Sequence, residues 1–197
     1  MARKKSKRRS YYYARRYKQL ASKNYFRVKA EYYDTIQFPQ QQGKVQFANR
    51  VNDPNATPDS MATNTIAQML NGYAYVQILA GLFSFYKITS ILIEITPKDN
   101  TGNQIQNEVD VYLGYRVANN AHMTLQEIKS VNQNLVLDPR NRQRKFFRTL
   151  GNFGDWTNTN NAIDGTISLE SQNGARGSQH VWSIKVSLYL LYKFSKA

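Results

Sequence analysis

The chain has 197 residues, with 27 Lys and Arg against 13 Asp and Glu, a formal net charge of +14 and no cysteine. That length suits one domain with a tail and buries roughly 70% of the surface its unfolded form exposes. The lack of cysteine excludes a disulfide framework and a thiolate metal site. No apolar segment follows the basic start, so no secretory signal is read there. The longest apolar run, YAYVQILAGLFSFY (73–86), is short for a membrane span and contains Gln77. The sequence reads as a soluble protein with no membrane partner.

The charge is concentrated at one end. Residues 1–29 hold 12 bases and no acid, whereas residues 30–197 hold 15 bases against 13 acids. Two regions follow from this: a basic arm over 1–23 and a nearly neutral body over 24–197. The arm has too little apolar content to repay the entropy of ordering, and it is expected to be disordered until a partner neutralises it. Its Arg3, Lys4, Lys5, Lys7, Arg8, Arg9, Arg15, Arg16 and Lys18 suit phosphates, whose counterions they would release. Its Tyr11, Tyr12, Tyr13 and Tyr17 suit unpaired bases, each stacked base being worth ~1–3 kcal/mol. Duplex DNA presents no such open faces, so the mixture points to a single strand. RKKSKRR (3–9) also fits a nuclear-localisation signal, a use compatible with the first.

The body begins with YFRVKAEYYDTIQF. Phe26, Val28, Ala30, Tyr32, Ile36 and Phe38 fall on one face and Arg27, Lys29, Glu31 and Gln37 on the other, which predicts a half-buried strand. Pro39 and Gly43 end it. A shorter strand is expected at 44–51, then a Pro/Asn loop at 52–60. MATNTIAQMLNG (61–72) has helical spacing, with Asp59 or Ser60 as cap and Gly72 at the end. YKITSILIEITP (86–97) predicts a strand with Ile91, Ile93 and Ile95 on one face. After a turn-rich loop, VDVYLGYRVA alternates with Val109, Val111, Leu113, Tyr115 and Val117 inward.

TLQE (124–127) is a capping box and starts a short helix. Strands near 134–137 and 145–150 bracket DPRNRQR, and AIDGTISLES holds another. The last element is the clearest: Trp182, Ile184, Val186, Leu188, Leu190, Tyr192 and Phe194 keep strict phase. About eight strands with two short helical insertions make an all-β protein, a single eight-stranded jelly roll or β-sandwich.

A second basic cluster lies in PRNRQRKFFR: Arg140, Arg142, Arg144, Lys145 and Arg148. Arg142 and Arg144, with Arg140 beside them, read as loop residues, and one of Phe146 and Phe147 as core. The cluster suits a polyanion or subunit contact as well as a solvated loop. Catalysis has little to draw on. His122 and His180 have no nearby carboxylate cluster in sequence, Glu94, Asp110 and Glu127 are scattered, and no metal-binding or phosphate-loop spacing occurs. No enzymatic activity, cofactor or metal is expected.

FSFYKITSILIEITP (83–97), together with the YYYARRY arm and the long final strand, resembles the capsid proteins of circular Rep-encoding single-stranded DNA viruses, the circovirus-like (CRESS DNA) group. The resemblance implies a virion protein that forms a T=1 shell of 60 copies of itself. It implies packaging of a circular single-stranded DNA genome, or of host nucleic acid in recombinant particles. Import receptors would carry it to the host nucleus for assembly. Sixty copies of residues 1–29, with 12 bases each, supply about 700 positive charges, the phosphate charge of about 700 nucleotides. Loops 52–60, 99–107 and 152–164 would supply subunit contacts and outer surface. The competing class is a cellular nucleic-acid-binding β-domain with a basic tail, of the ribosomal-protein type, although such a protein is usually basic over its folded faces too. A cupin-like enzyme would need inward metal ligands, which two isolated histidines do not supply.

Overall fold

The structure, a computed structural model, describes residues 25–37, 45–50, 61–98, 110–117, 119–131, 134–138, 141–148, 156–172 and 181–195. The arm, loops 52–60 and 99–107, Arg140 and His180 lie outside these residues.

The chain runs β1 (Phe26–Gln37), β2 (Gln46–Phe47), a 3-10 turn (Ala48–Arg50), β3 (Thr63–Thr65), α1 (Ile66–Asn71), α2 (Ala74–Leu82), β4 (Phe83–Pro97), β5 (Val111–Val117), α3 (Leu125–Ser130), β6 (Asn134–Val136), β7 (Gln143–Arg148), β8 (Thr157–Asn158), β9 (Gly165–Ser171) and β10 (Val181–Ser195). One sheet has the order β2-β1-β10-β4-β7, with β8 on β4, and the other has the order β3-β9-β5-β6. Every pairing among the described residues is antiparallel. Without the two-residue strands β2 and β8, the remaining strands numbered in chain order read 1-8-3-6 and 2-7-4-5. That order is a jelly roll.

The alternation in each long strand sends one set of side chains between the sheets. Ile184, Val186, Leu188 and Leu190 of β10 meet Ile91, Ile93 and Ile95 of β4, and Leu113, Ile167 and Leu169 close from the second sheet. Each such side chain, fully buried, stabilises by ~1.5–3 kcal/mol. Trp182 is 1% exposed and donates its indole N–H to the carbonyl of Asp138 at 3.0 Å.

β4 changes phase midway. Tyr86 and Ile88 face inward, and so do Ile91, Ile93 and Ile95. Ile88 pairs with Leu190 and Ser90 with Tyr189, which leaves Thr89 as the extra residue of a bulge. Thr89 Oγ1 donates to the Tyr189 carbonyl at 3.1 Å and seals it.

The strand expected at 86–97 therefore starts earlier, at Phe83. The strand expected at 44–51 shortens to β2 and the 3-10 turn. The helix expected over 61–72 is confined to Ile66–Asn71, because Thr63, Asn64 and Thr65 pair with β9 as β3. Thr65 caps it, accepting from the Gln68 amide, and Gly72 ends it as expected. α2 is an addition to the sequence reading: its N-cap, Tyr73, makes no side-chain capping bond. The capping box at Thr124–Glu127 forms as expected and opens α3.

α3 lies over Gly114 of β5. A Cβ at Gly114 would stand 2.8 Å from Cγ1 and 3.1 Å from Cγ2 of Ile128, which is fully buried. Gly114→Ala is expected to destabilise the fold by about 1–3 kcal/mol through overpacking. Denaturant unfolding of the variant beside the parent chain checks this.

Candidate nucleic-acid interface

The face of the first sheet turned away from the core carries Arg27, Lys29, Glu31, Lys87, Glu94, Arg144, Lys185 and Lys193. Its rows follow from the strand registers. Arg27 of β1 stands beside Leu191 of β10, itself beside Lys87 of β4. The next rows run Lys29–Tyr189–Ser90, Glu31–Ser187–Leu92–Phe146, and Tyr33–Lys185–Glu94–Arg144. Tyr25, just before β1, lies at the end of the sheet next to the first of these rows.

The two ends of the face differ in charge. At the far end, acids answer bases. Glu31 accepts from Lys29, from Tyr33 Oη at 2.7 Å and from Lys185 at 3.0 Å. These partners, Lys29 foremost, hold its carboxyl at about 2. Glu94 accepts from Arg142 at 2.8 Å and lies 3.7 Å from Arg144. A groove there is lined by Tyr33, Glu94, Lys98, Arg142 and Lys185, residues of mixed sign. At the arm's end no Asp or Glu stands among the outward residues of the first two rows.

Of the second basic cluster, Arg142 and Arg144 are thus brought together on one carboxylate, and Arg144 belongs to a strand rather than a loop. Lys145 is half-buried in the same strand, and Arg148 ends it. Phe147 is core at 3% exposure, while its neighbour Phe146 is 51% exposed on the outer face.

Two polar clusters were not legible in the sequence. Asp34 points inward on β1, where alternation expects an apolar residue. It accepts from Tyr32 Oη at 2.7 Å, the Asn49 amide at 3.2 Å and Asn64 Nδ2 at 3.4 Å, tying β1 to the 3-10 turn and β3. His122 has a carboxylate neighbour after all: Nε2 lies 2.7 Å from Glu170 Oε1, and Nδ1 lies 2.7 Å from Thr63 Oγ1. Thr63 is buried, and Arg116 donates to the His122 carbonyl at 3.4 Å. The cluster clamps a loop onto β3, β5 and β9. Among the described residues, no three His, Cys, Asp or Glu side chains converge as a metal site would need, and no helix is long and apolar enough to cross a membrane.

No protein-family model matches the chain, and no curated protein matches it. Solved structures do. The capsid protein in a T=1 subviral particle of Penaeus vannamei nodavirus, a deletion mutant, is 8% identical with a TM-score of 0.56, over 87% of this chain and 98% of that one. The Cocksfoot mottle virus structure is 10% identical at TM-score 0.51, over 88% and 86%. The decameric BFDV capsid protein is 12% identical at TM-score 0.50, over 86% and 99%. The fold is that of viral capsid proteins. Identities this low establish the fold alone, and the jelly roll expected from the sequence is borne out.

Glu31 yields a pH prediction. Its folded-state carboxyl is held below the ordinary 4.5, so the unfolded chain binds its proton first. The stabilisation it supplies is complete above about 4.5 and is lost as pH falls towards about 2. The melting temperature of the parent chain is expected to exceed that of Glu31→Gln at neutral pH, with the gap closing across that window. Thermal melts of both proteins between pH 7 and 2 check this.

Proposed function

We propose that this protein is a viral capsid subunit that assembles with copies of itself into a small icosahedral shell and packages single-stranded nucleic acid through its arm. The observation that carries the reading is the combination of a capsid-type jelly roll with an acid-free arm joined to the start of β1. Arms on the inner side of a shell would neutralise phosphates and reduce the repulsion that opposes closure. The resemblance to circovirus-like capsid proteins favours a T=1 shell of 60 subunits around circular single-stranded DNA. The RKKSKRR segment would also route the chain to the nucleus before assembly, with the virion as its final location.

Closed symmetry needs a surface that a second copy covers. α2 supplies a candidate. Val76 and Leu79 are buried, while Tyr75, Ile78 and Leu82, at i, i+3 and i+7, share the adjacent stripe of the helix at 48%, 59% and 54% exposure. Single exposed apolar residues are ordinary, but three on one helix face form a patch that favours burial. The neighbouring structures include a decamer and a T=1 particle, which favours another copy of the chain as the occupant.

Two variants test the reading. Deletion of residues 2–23 is expected to remove copurifying nucleic acid and leave the melting temperature of the β body within a few degrees of the parent. Retention of nuclease-sensitive nucleic acid at the parent's ratio would contradict the role of the arm. Ile78→Asp places a charge where an apolar side chain worth ~1.5–3 kcal/mol would be buried at each contact. Sedimentation velocity is expected to show this variant as small species under conditions in which the parent sediments as a large particle. Parent-like particles from Ile78→Asp would contradict the α2 surface.

A further inference from the structure

At the arm's end of the outer sheet face, aromatic rings and lysines are interleaved. Trp156 is carried there by β8, which pairs Thr157 with Tyr86 and Asn158 with Phe85. Its indole stacks on Tyr25 with centroids 5.4 Å apart and planes 23° from parallel. The ammonium groups of Lys193 and Lys87 lie 4.3 and 4.9 Å from the centroid of the same indole. Lys193 also lies 5.3 Å from the ring of Phe85. Two rows from Lys193, Lys29 is 5.9 Å from the ring of Tyr189, and it is already paired with Glu31. Tyr25 is 40% exposed, so part of its ring remains open to solvent after it stacks on Trp156.

We propose that this patch, centred on Tyr25, Trp156, Lys87 and Lys193, is a stacking site for unpaired bases of single-stranded nucleic acid, built into the folded body and separate from the arm. The inference rests on the reading that the chain packages a single strand, and it adds a site that the arm's charge does not require. Two observations carry it. The rings are already ordered against each other, so a base adds to an existing stack rather than ordering a loose ring. The lysines sit beside the stack, where the phosphates flanking a stacked base need cations.

The chemistry separates this site from a general polyanion surface. A polyanion without bases engages the lysines and gains nothing from the rings. A duplex hides its base faces. Single strands engage both, with little sequence preference, because every base has a π-face. Lysines that merely shield their own aromatic neighbours would instead show no difference between a strand and a base-free polyanion.

The test uses the full chain and its two tryptophans. Trp182 is buried in the core, so a ligand-dependent change in emission reports Trp156. A thymidine oligonucleotide is expected to quench that emission, and inorganic polyphosphate of matched charge is expected to bind without quenching. A uridine oligonucleotide shows whether the sugar matters, and a duplex of the same length is expected to bind without quenching. Tyr25→Ala is expected to lower affinity for the thymidine strand about tenfold, the scale of one lost stacked base. Its affinity for polyphosphate should not change, and Tyr25→Phe should bind both as the parent does.

Lys87→Ala with Lys193→Ala is a second route if Tyr25→Ala unfolds. Loss of two phosphate contacts should flatten the log affinity–log salt slope by about 1.4. Unchanged thymidine affinity in Tyr25→Ala, or equal loss for thymidine strand and polyphosphate, would overturn the site. In that case polyphosphate binding by the parent chain would leave the arm's role standing. Failure of the parent chain to bind either ligand would overturn the arm's role and the site together.

Discussion

β10 is hydrogen-bonded along both edges, to β1 on one side and β4 on the other, and the rest of the molecule is arranged around that placement. The register with β1 runs without a break from Phe26 opposite Tyr192 to Gln37 opposite Val181. Because side chains alternate, a slip of one residue would turn Trp182, Ile184, Val186, Leu188 and Leu190 out to solvent and bring Lys185 and Lys193 into the core. Each such exchange is costly on both counts: lost apolar burial and a desolvated charge. The alternation therefore excludes every odd slip between β10 and its neighbours. With β1 and β4 on its two edges, that phase fixes which side chains of all three strands enter the core.

The same register decides what the outer face presents. With the core set chosen, Lys29, Lys185, Lys193, Tyr189, Arg27, Lys87, Phe85, Glu31 and Glu94 must all point the other way. Their order along the strands then segregates the charge. Acids sit at the end away from the arm and are already answered by Lys29, Lys185, Arg142 and Arg144. Bases and rings sit at the end where the arm joins. A phosphate-bearing strand drawn in by the arm would therefore meet a surface of the same chemical preference at the arm's root and a self-neutralised one further along.

The long strands were legible because one face of each is buried and the other is not: β1 and β10 alternate in the sequence as they do in the fold. α2 was not legible because the run from Tyr73 to Tyr86 is apolar on most sides, with Gln77 its one polar residue before Ser84, and has no capping side chain, so neither period nor cap marks a helix. The phase change in β4 depends on a bulge at Thr89, which only the pairing with Tyr189 and Leu190 reveals. β3 and β8 are too short to show a period. The candidate interface was half legible. The arm's charge stands out as composition, but the body residues of the candidate site come from distant segments. Tyr25 reaches Trp156, and His122 reaches Glu170 and Thr63, only through strand pairing. Inward Asp34 breaks the pattern of its own strand because Asn49 and Asn64 are brought to it from elsewhere.

The claim on which the functional account turns is that this jelly roll closes into a shell around nucleic acid. Electron microscopy of the purified full chain at moderate salt, with the ratio of absorbance at 260 and 280 nm recorded on the same sample, addresses it most directly. The account predicts uniform closed spheres and a ratio raised by nucleic acid inside them. Small soluble particles alone, across a range of salt and pH, would contradict it.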